Sequence, residues 1–468
     1  MITAKARDSS AAPALELDEL PALRPFLAVQ PQFAAGSDTP RDFLERCLAA
    51  LDHWEPRIDA FVNLNMDGAR AAADASSRRW REGRPLSPLD GMPLGIKDII
   101  ETIDMPTENG SPLYAGWRSD RDAASVAALR EAGAVILGKT VTTEFAAREP
   151  RGTRNPWDVE RTPGGSSSGS AAAVVTGMVS AALGTQVIGS TIRPASFCGC
   201  FGFKPTLGAL NRGGSHDGLS QSCTGVLAAN LEDAWQVAHE IAVRAGGDPG
   251  YPGLFGPDRA PPAKQPQRLA LLETAGWSVA EAAAKQAIEE AVARLKALGI
   301  DVRTRHDEPK VAAVEAALDQ ATSISNRIND WEGRWPLNTY RARDAGKLSR
   351  LALERLAKAE AMTLDDYRGL LAERASIRQV WAELATVCNA CITLAAPGPA
   401  PRGLGWTGDA SFAVPASLLG TPAISLPLFR VDGLPLGFQV MGFEHGDAGT
   451  FAIAAWIEAA LGPAKSAR

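Results

Sequence analysis

Residues 162–192 read TPGGSSSGSAAAVVTGMVSAALGTQVIGSTI, and none of these side chains is charged. An apolar run of this length could cross a membrane. Serines, threonines, glycines and Gln186 interrupt the run, however, and favour a backbone segment that is buried inside a globular protein. Buried hydroxyl groups need hydrogen-bond partners, so the density of serine in this stretch requires a structural or chemical reason.

The composition argues against several classes of function. The chain has 468 residues and a formal net charge of −6 with both signs interspersed, so no basic patch predicts a nucleic-acid partner or a membrane surface. Its six cysteines lack a second pair or histidines at ligand spacing, which argues against a metal site. The N-terminal MITAKARDSS has no apolar signal region, so we expect a cytoplasmic protein with reduced thiols. Small molecules are the expected partners.

The order of elements along the chain predicts α/β layering. Thr39-Pro40 begins an amphipathic helix, a helix precedes the apolar strand at 134–140, and a strand, a helix and a strand follow one another over 269–302. We expect residues 1–60 to form an N-terminal helical wrap. Residues 310–385 are predicted to be helical, either as a substrate-recognition region or as an outer helical layer.

The Ser/Gly block admits three chemical interpretations. Gly165–Gly169 matches the G-x-S-x-G nucleophile elbow, with Ser167 and His445 as partners, although a loop rather than a strand precedes it. The same residues before an Ala/Val helix could form a phosphate cradle, but the P-loop lysine motif is absent. In the third interpretation a buried, neutral lysine activates a serine, and a second serine relays the proton.

Lys97 is the candidate lysine for the third interpretation. It lies in LDGMPLGIKDIIET (89–102), next to Asp98 and among isoleucines at 96, 99 and 100. Lysine is rarely buried without a partner, so an exposed strand position is the alternative. The local sequence leaves both positions open.

Six blocks extend the pattern over most of the chain and occur in a fixed order: GMPLGIKDI, LREAGAVILGKT, TPGGSSSGSAAAV, GTQVIGSTIRPASFCGCFGFKPT, LLGTPAISLP and GLPLGFQVMG. Together they resemble the amidase signature family. The resemblance implies a single α/β domain over 1–468, with a large mixed, mostly parallel-core β-sheet between helices and a catalytic core at 88–235. It also implies that the protein needs no cofactor and no metal.

The resemblance assigns roles to individual residues. Lys97 corresponds to the catalytic base, Ser166 to the relay serine that follows a cis peptide bond, and Ser190 to the acyl-forming nucleophile. Backbone N–H groups correspond to the oxyanion hole at Val187, Ile188, Gly189 and Ser190. The expected reaction is hydrolysis of a carboxamide through an acyl-enzyme.

The chain departs from the family pattern at several positions. Where the family usually reads T-D-x-G-G-S, Gln186 replaces the aspartate and Ile188 replaces a glycine, and we expect Ile188 to narrow or redirect the acyl pocket. The family segment S-L-D-x-x-G-P reads SQSCTGV over 220–226, without the aspartate.

Three further residues are candidates for substrate contact or for support of the site. Arg193 stands one position later than the usual arginine. It either binds a substrate carboxylate or hydrogen-bonds the loop under Ser190, and we favour the second role because its five donors suit several carbonyls. Asp98 and Thr162 are expected to support the catalytic residues.

The expected substrate is a small amide that reacts with water: an anilide, a primary amide or a carbamate, as for an aryl acylamidase or a urethanase. A monomer or homodimer is expected, with no nucleic-acid or membrane partner. One rival is the amidase subunit of a tRNA-dependent amidotransferase, which passes ammonia to another active site. A rival of another class is a catalytically silent small-molecule binding protein on the same scaffold.

Overall fold

The computed structural model describes residues 20–462, so residues 1–19 of the predicted N-terminal wrap lie outside the described part. An 11-stranded sheet runs through the described residues in the order β1-β3-β2-β4-β6-β5-β10-β11-β9-β7-β8. Its strands are β1 (Phe61–Leu64), β2 (Pro93–Lys97), β3 (Val135–Thr140), β4 (Ala181–Gln186), β5 (Phe201–Lys204), β6 (Cys223–Ala228), β7 (Arg268–Leu271), β8 (Asp301–Arg303), β9 (Ala390–Leu394), β10 (Ala423–Val431) and β11 (Leu434–Met441).

The sheet is mixed, as expected, but its centre is antiparallel. Parallel pairing joins β3, β2 and β4 on one side and β9, β7 and β8 on the other. The strands between these groups, from β4 to β9, pair antiparallel throughout. The expected mostly parallel core is therefore wrong, because the β10–β11 hairpin and the returning strand β6 occupy the middle of the sheet.

Helices cover both faces of the sheet. In the described residues the α-helices are α1 (Gln30–Ala35), α2 (Pro40–Ile58), α3 (Met66–Arg81), α4 (Ala124–Glu131), α5 (Ser168–Val175), α6 (Ile192–Cys198), α7 (Leu231–Ala245), α8 (Ala282–Ala297), α9 (Pro309–Leu318), α10 (Ala321–Asp344), α11 (Arg350–Glu360), α12 (Leu364–Leu384), α13 (Val414–Leu419) and α14 (Asp447–Leu461). Thr39 caps α2 by accepting from the Asp42 N–H, as the Thr-Pro signal predicts. Among helices of the described range, none is long and apolar enough to cross a membrane.

The uncharged stretch forms the buried centre of this architecture. It supplies the catalytic-side loop, α5, β4 and the start of α6, and every residue of α5 and β4 is buried. Small residues are required because α5 lies against neighbouring backbone: a Cβ on Gly169 would come within 2.1 Å of the Ala60 carbonyl oxygen. A charged side chain in this layer would have no solvent to reach, which explains the missing charges.

The predicted helical region at 310–385 is confirmed as α9–α12, and it packs onto the rest of the domain. Glu332 of α10 accepts hydrogen bonds from the Ser220 N–H, at 2.7 Å, and from the Ser220 hydroxyl. Asn329 accepts from Gln221 Nε2 at 3.1 Å. The helical region is thereby attached to segment 220–222, which replaces the aspartate-bearing segment of the family.

Candidate active site

Lys97 lies at the end of β2, where the side chain is fully buried. Its Nζ donates to Ser166 Oγ at 2.7 Å and to Thr185 Oγ1 at 2.8 Å. Burial lowers the pKa of Lys97 from 10.5 to about 7, and the negative charge of Asp217 opposes this shift. The exposed position that the local sequence left open is thus wrong, and the lysine is poised between its two protonation states near neutral pH.

Ser166 stands in the loop that leads into α5, and the peptide bond between Gly165 and Ser166 is cis. Glycine is required at the two preceding positions. A Cβ on Gly164, whose φ is +84°, would lie 2.8 Å from Pro194 Cα, and one on Gly165 would lie 2.7 Å from Thr407 Cγ2. The GG pair of the motif therefore lets this loop approach the nucleophile segment closely.

Ser190 lies in the turn between β4 and α6 and is half-buried. Its carbonyl oxygen accepts from the Ser167 N–H at 3.3 Å, which joins the two serine-bearing segments. Within the described chain the Ser190 hydroxyl has no hydrogen-bond partner. It is therefore free to approach a substrate carbonyl.

The backbone around Ser190 offers uncommitted donors. Among residues 20–462 no protein acceptor bonds to the N–H groups of Val187, Ile188, Gly189 and Ser190. Buried or half-buried N–H groups are nearly always paired, so a run of free donors beside a serine is a ready-made site for an oxyanion. The Ile188 side chain is half-buried and packs against a hydrophobic cluster that includes Ile192 and Val414.

Arg193 reaches under the catalytic loop and is buried. Its Nη1 donates to the Gly408 carbonyl at 2.8 Å, and its Nη2 donates to the Gly165 carbonyl at 2.6 Å and to Thr407 Oγ1 at 2.9 Å. Burial lowers the pKa of Arg193 to about 10. These contacts match the loop-supporting role and use most of the donors that a carboxylate would need.

Asp98 and Thr162 contact neighbours of the catalytic residues. Asp98 forms a buried ion pair with Lys139, with 3.1 Å between Oδ1 and Nζ, and accepts from the Glu108 N–H. Thr162 Oγ1 accepts from the Gly164 N–H at 3.1 Å. Both side chains thus hold the backbone beside Lys97 or Ser166.

The rival elbow residues have separate partners. Ser167 is fully buried, and its hydroxyl donates to the Thr185 carbonyl at 3.4 Å. The His445 ring packs against Phe255, and its backbone N–H donates to Thr206 Oγ1. The structure gives no contact between Ser167 and His445.

Two residues of the site were missed in the sequence. Thr185 accepts from the lysine, and Asp217 is the nearest charge that acts on it. Asp217 accepts from the Ser215 hydroxyl at 2.8 Å and from the Ser222 hydroxyl at 2.6 Å. Because Ser222 stands where the family has its aspartate, the carboxylate here comes from a position five residues earlier. The sequence signal was the short SHDG stretch at 215–218, which the histidine in it obscured.

Metal chemistry has no assembled ligand set in the part of the chain that the structure describes. No three His, Cys, Asp or Glu side chains there cluster in a way that could hold an ion. All six cysteines are buried free thiols.

Known proteins support the arrangement over most of the chain. The model of the family described as Amidase matches residues 42–451. The A-type subunit of the glutamyl-tRNA(Gln) amidotransferase from Chloroflexus aurantiacus (strain ATCC 29366 / DSM 635 / J-10-fl) is 44% identical over 229 residues, 47% of this chain and 46% of that protein. The chain thus matches about half the length of this relative. The corresponding protein of the same name from Anaeromyxobacter sp. (strain K) is 31% identical over 469 aligned positions, 92% of this chain and 94% of that protein.

A solved structure extends the likeness to the fold. The crystal structure of an amidase superposes with a TM-score of 0.81 at 29% identity, covering 94% of this chain and 100% of that chain. The matched region includes the buried lysine, the cis-linked serine and the free donors beside Ser190. The chain belongs to the amidase family.

Proposed function

We propose that the protein is a serine amidohydrolase that cleaves the C–N bond of a carboxamide through an acyl-enzyme. The observation that carries the proposal is the buried Lys97 ammonium, which contacts only hydroxyl groups within the described residues, one of them on Ser166. Free Ser190 lies on the segment that is bonded to the next residue, Ser167. This arrangement suits transfer of a proton from one serine through another to a lysine.

The proposed reaction begins with Lys97 in its neutral form. Ser190 Oγ attacks the amide carbon while its proton passes to Ser166, whose own proton passes to Lys97. The negative oxygen of the tetrahedral intermediate accepts from the free N–H groups at 187–190, a contribution of about 3 kcal/mol per donor in other enzymes. The proton returns to the leaving nitrogen as the C–N bond breaks.

Deacylation uses the same residues in reverse. Water attacks the acyl ester of Ser190 and gives its proton to the Ser166–Lys97 pair, and the proton then returns to Ser190 Oγ as the ester bond breaks. The Ser166–Ser190 contact is not formed at rest, and we expect it to close when substrate binds, as catalytic hydrogen bonds often do. The reaction consumes only the amide and water.

The proposed substrates are uncharged near the reacting group: anilides, primary amides or carbamates. The charged residues around the site already have protein partners. Arg193 bonds backbone carbonyls, Asp98 pairs with Lys139, and Asp217 accepts from two serines. None of these leaves an obvious partner for a charged substrate group.

Active-site labelling tests the proposal. The purified protein is treated with a fluorophosphonate and the adduct is mapped by mass spectrometry. We expect labelling at Ser190 that is lost in Ser190→Ala and slowed at least a hundredfold in Lys97→Ala. Ser180→Ala is the matched control, because the buried Ser180 hydroxyl on the same stretch has no partner among the described residues. Labelling at Ser167, or undiminished labelling of Ser190→Ala, would contradict the assignment.

A second candidate function is that of an amidotransferase amidase subunit. The 31% identity to the Anaeromyxobacter protein over 92% of the chain favours it. A panel of anilides, urethanes, primary amides and glutamine separates the two. Ammonia release from glutamine alone, and only with partner subunits present, would support the second candidate. Tight amide binding without turnover would support a silent binding protein.

A further inference from the structure

We propose that Gln186 and Ser417 are positioning residues that hold the Gly189 N–H group in the oxyanion hole. This inference rests on the proposed function, because the hole matters only if Ser190 forms a tetrahedral intermediate. The two side chains join β4 to α13 and bracket the nucleophile turn. We call this pair the oxyanion clip.

The first half of the clip is the Gln186 side chain, which is fully buried. Its Oε1 accepts from the N–H groups of Thr191, at 2.9 Å, and Ile192, at 3.0 Å. Because both partners are backbone donors, the atom facing them must be the oxygen, and this fixes the orientation of the amide. The NH₂ group therefore faces the other way, where Nε2 donates to Ser417 Oγ at 3.1 Å.

The second half is the Ser417 hydroxyl, which has a single proton. Since its oxygen already accepts from Gln186, the proton is available for the Ile188 carbonyl oxygen, 2.8 Å away. The chain of bonds has one direction, from amide to hydroxyl to carbonyl. Ser417 is buried on α13, which gives the chain of bonds a rigid anchor.

The Ile188 carbonyl matters because of the peptide plane that it belongs to. Within the described residues only the Gly165–Ser166 bond is cis, so the Ile188–Gly189 bond is trans. In a trans peptide the C=O and N–H groups point in opposite directions. With its carbonyl held by Ser417, the plane must direct the Gly189 N–H away from α13, to the side where no protein acceptor meets it.

Packing opposes the flipped plane as well. A Cβ on Gly189 would lie 3.0 Å from Ala413 Cβ and 3.1 Å from Ala410 Cβ, so the segment leading into α13 lies directly against this turn. Ile188 also lacks the conformational freedom that the family's glycine has at this position. The hydrogen bonds and the packing thus hold the same orientation.

An aspartate at position 186 could not build the same clip. A carboxylate only accepts, so it would compete with the Ile188 carbonyl for the one proton of Ser417. An asparagine at 417 would remove the conflict, because its NH₂ group has two protons and can serve both acceptors. Gln186→Asp and Ser417→Asn also change volume in opposite directions, which limits the packing cost of the double variant.

Steady-state kinetics test the clip with Ser417→Ala, Gln186→Asp and the double variant Gln186→Asp/Ser417→Asn. We expect each single variant to lower kcat at least tenfold with KM within about twofold, because an oxyanion donor acts mainly in the transition state. The double variant should recover most of the lost kcat. Melting temperatures identify any variant that fails to fold. Wild-type kcat in Ser417→Ala, or a loss confined to KM, would overturn the inference.

Hydrogen exchange separates failure of the clip from failure of the proposed function. If the wild-type protein is not labelled at Ser190, the amidohydrolase proposal fails, but exchange at 187–192 still reports on the clip. We expect faster exchange of the Thr191 and Ile192 amides in Gln186→Met and in Ser417→Ala, with Ser180→Ala unchanged. Unaltered exchange in both clip variants would show that the bonds do not order the turn.

Discussion

Lys97 Nζ lies 2.7 Å from Ser166 Oγ in a fully buried environment, and its other partner is also a hydroxyl, that of Thr185. The adjacent strand carries an equally buried lysine, Lys139, whose Nζ lies 3.1 Å from the carboxylate of Asp98. Two buried lysines on neighbouring strands thus have opposite surroundings. Hydroxyl partners leave the charge of Lys97 uncompensated, which favours its neutral form, whereas Lys139 has a counter-ion.

The rate should therefore depend on the protonation of Lys97. Because burial lowers its pKa to about 7 and the base must be neutral, kcat/KM should fall about tenfold per pH unit below 7 and level off above it. The measurement is a pH profile of kcat/KM for an amide without ionisable groups, from pH 5.5 to 9. A profile that stays flat down to pH 5.5 would exclude Lys97 as the base.

Stability should depend on the same group, with a predictable sign. Between pH 7 and 10.5 the unfolded chain holds a proton on Lys97 that the folded protein has lost, so folding becomes more favourable as the pH rises. Lys97→Met should therefore stabilise the fold most at and below pH 7. The gain should shrink by about 1.4 kcal/mol per pH unit toward 10.5. Urea unfolding midpoints at several pH values measure it.

Lys139→Met is the matched control for this stability effect. It removes an equally buried lysine but leaves the carboxylate of Asp98 without its ion-pair partner. Losing one member of a buried pair costs about 3 kcal/mol or more, so this variant should be destabilised. Equal effects of the two substitutions would mean that their different partners do not matter.

The hydroxyl of Thr185 should orient the base. Thr185→Val keeps the shape of the side chain but removes the acceptor for Lys97 Nζ, and we expect kcat to fall about three- to tenfold, the value of one hydrogen bond. Thr185→Ser retains the hydroxyl and should keep most of the activity. A valine variant with wild-type kcat would show that Ser166 alone positions the lysine.

The sequence could predict the residues that carry the family pattern, because those blocks are contiguous and have a fixed order. It located Lys97, Ser166 and Ser190, and the structure brings the first two into contact. It could not predict Thr185, whose place beside the lysine depends on the parallel register in which Ile96 pairs with Leu183. Register between strands that are distant in the chain leaves no local signal.

Two further features escaped prediction for the same reason. The antiparallel centre of the sheet depends on which strands become neighbours, and β10 meets β5 across more than two hundred residues of chain. The carboxylate of Asp217 reaches the site through the fold of a loop, where Ser215 and Ser222 hold it. Loop conformation of this kind is set by contacts that no periodicity encodes.

Arg193 should support the catalytic loop whatever the substrate. Arg193→Met leaves the carbonyls of Gly165 and Gly408 without their donor, so we expect a loss of about 2–4 kcal/mol in the free energy of unfolding. The drop in kcat should be similar for neutral and carboxylate-bearing amides. Arg193→Lys keeps the charge but not the planar fork, and should recover little. A loss restricted to acidic substrates would indicate the carboxylate-binding role instead.

Asp217 should tune the base from a distance. Its negative charge raises the pKa of Lys97 against the effect of burial, so Asp217→Asn should move the midpoint of the kcat/KM profile to lower pH. Asparagine has nearly the same shape, and its side-chain oxygen can still accept from Ser215 or Ser222. Asp258→Asn is the control, because that carboxylate is almost fully exposed and its charge is screened by solvent. An unchanged midpoint in Asp217→Asn, or an equal shift in the control, would mean that the carboxylate held by the two serines serves the loop and not the lysine.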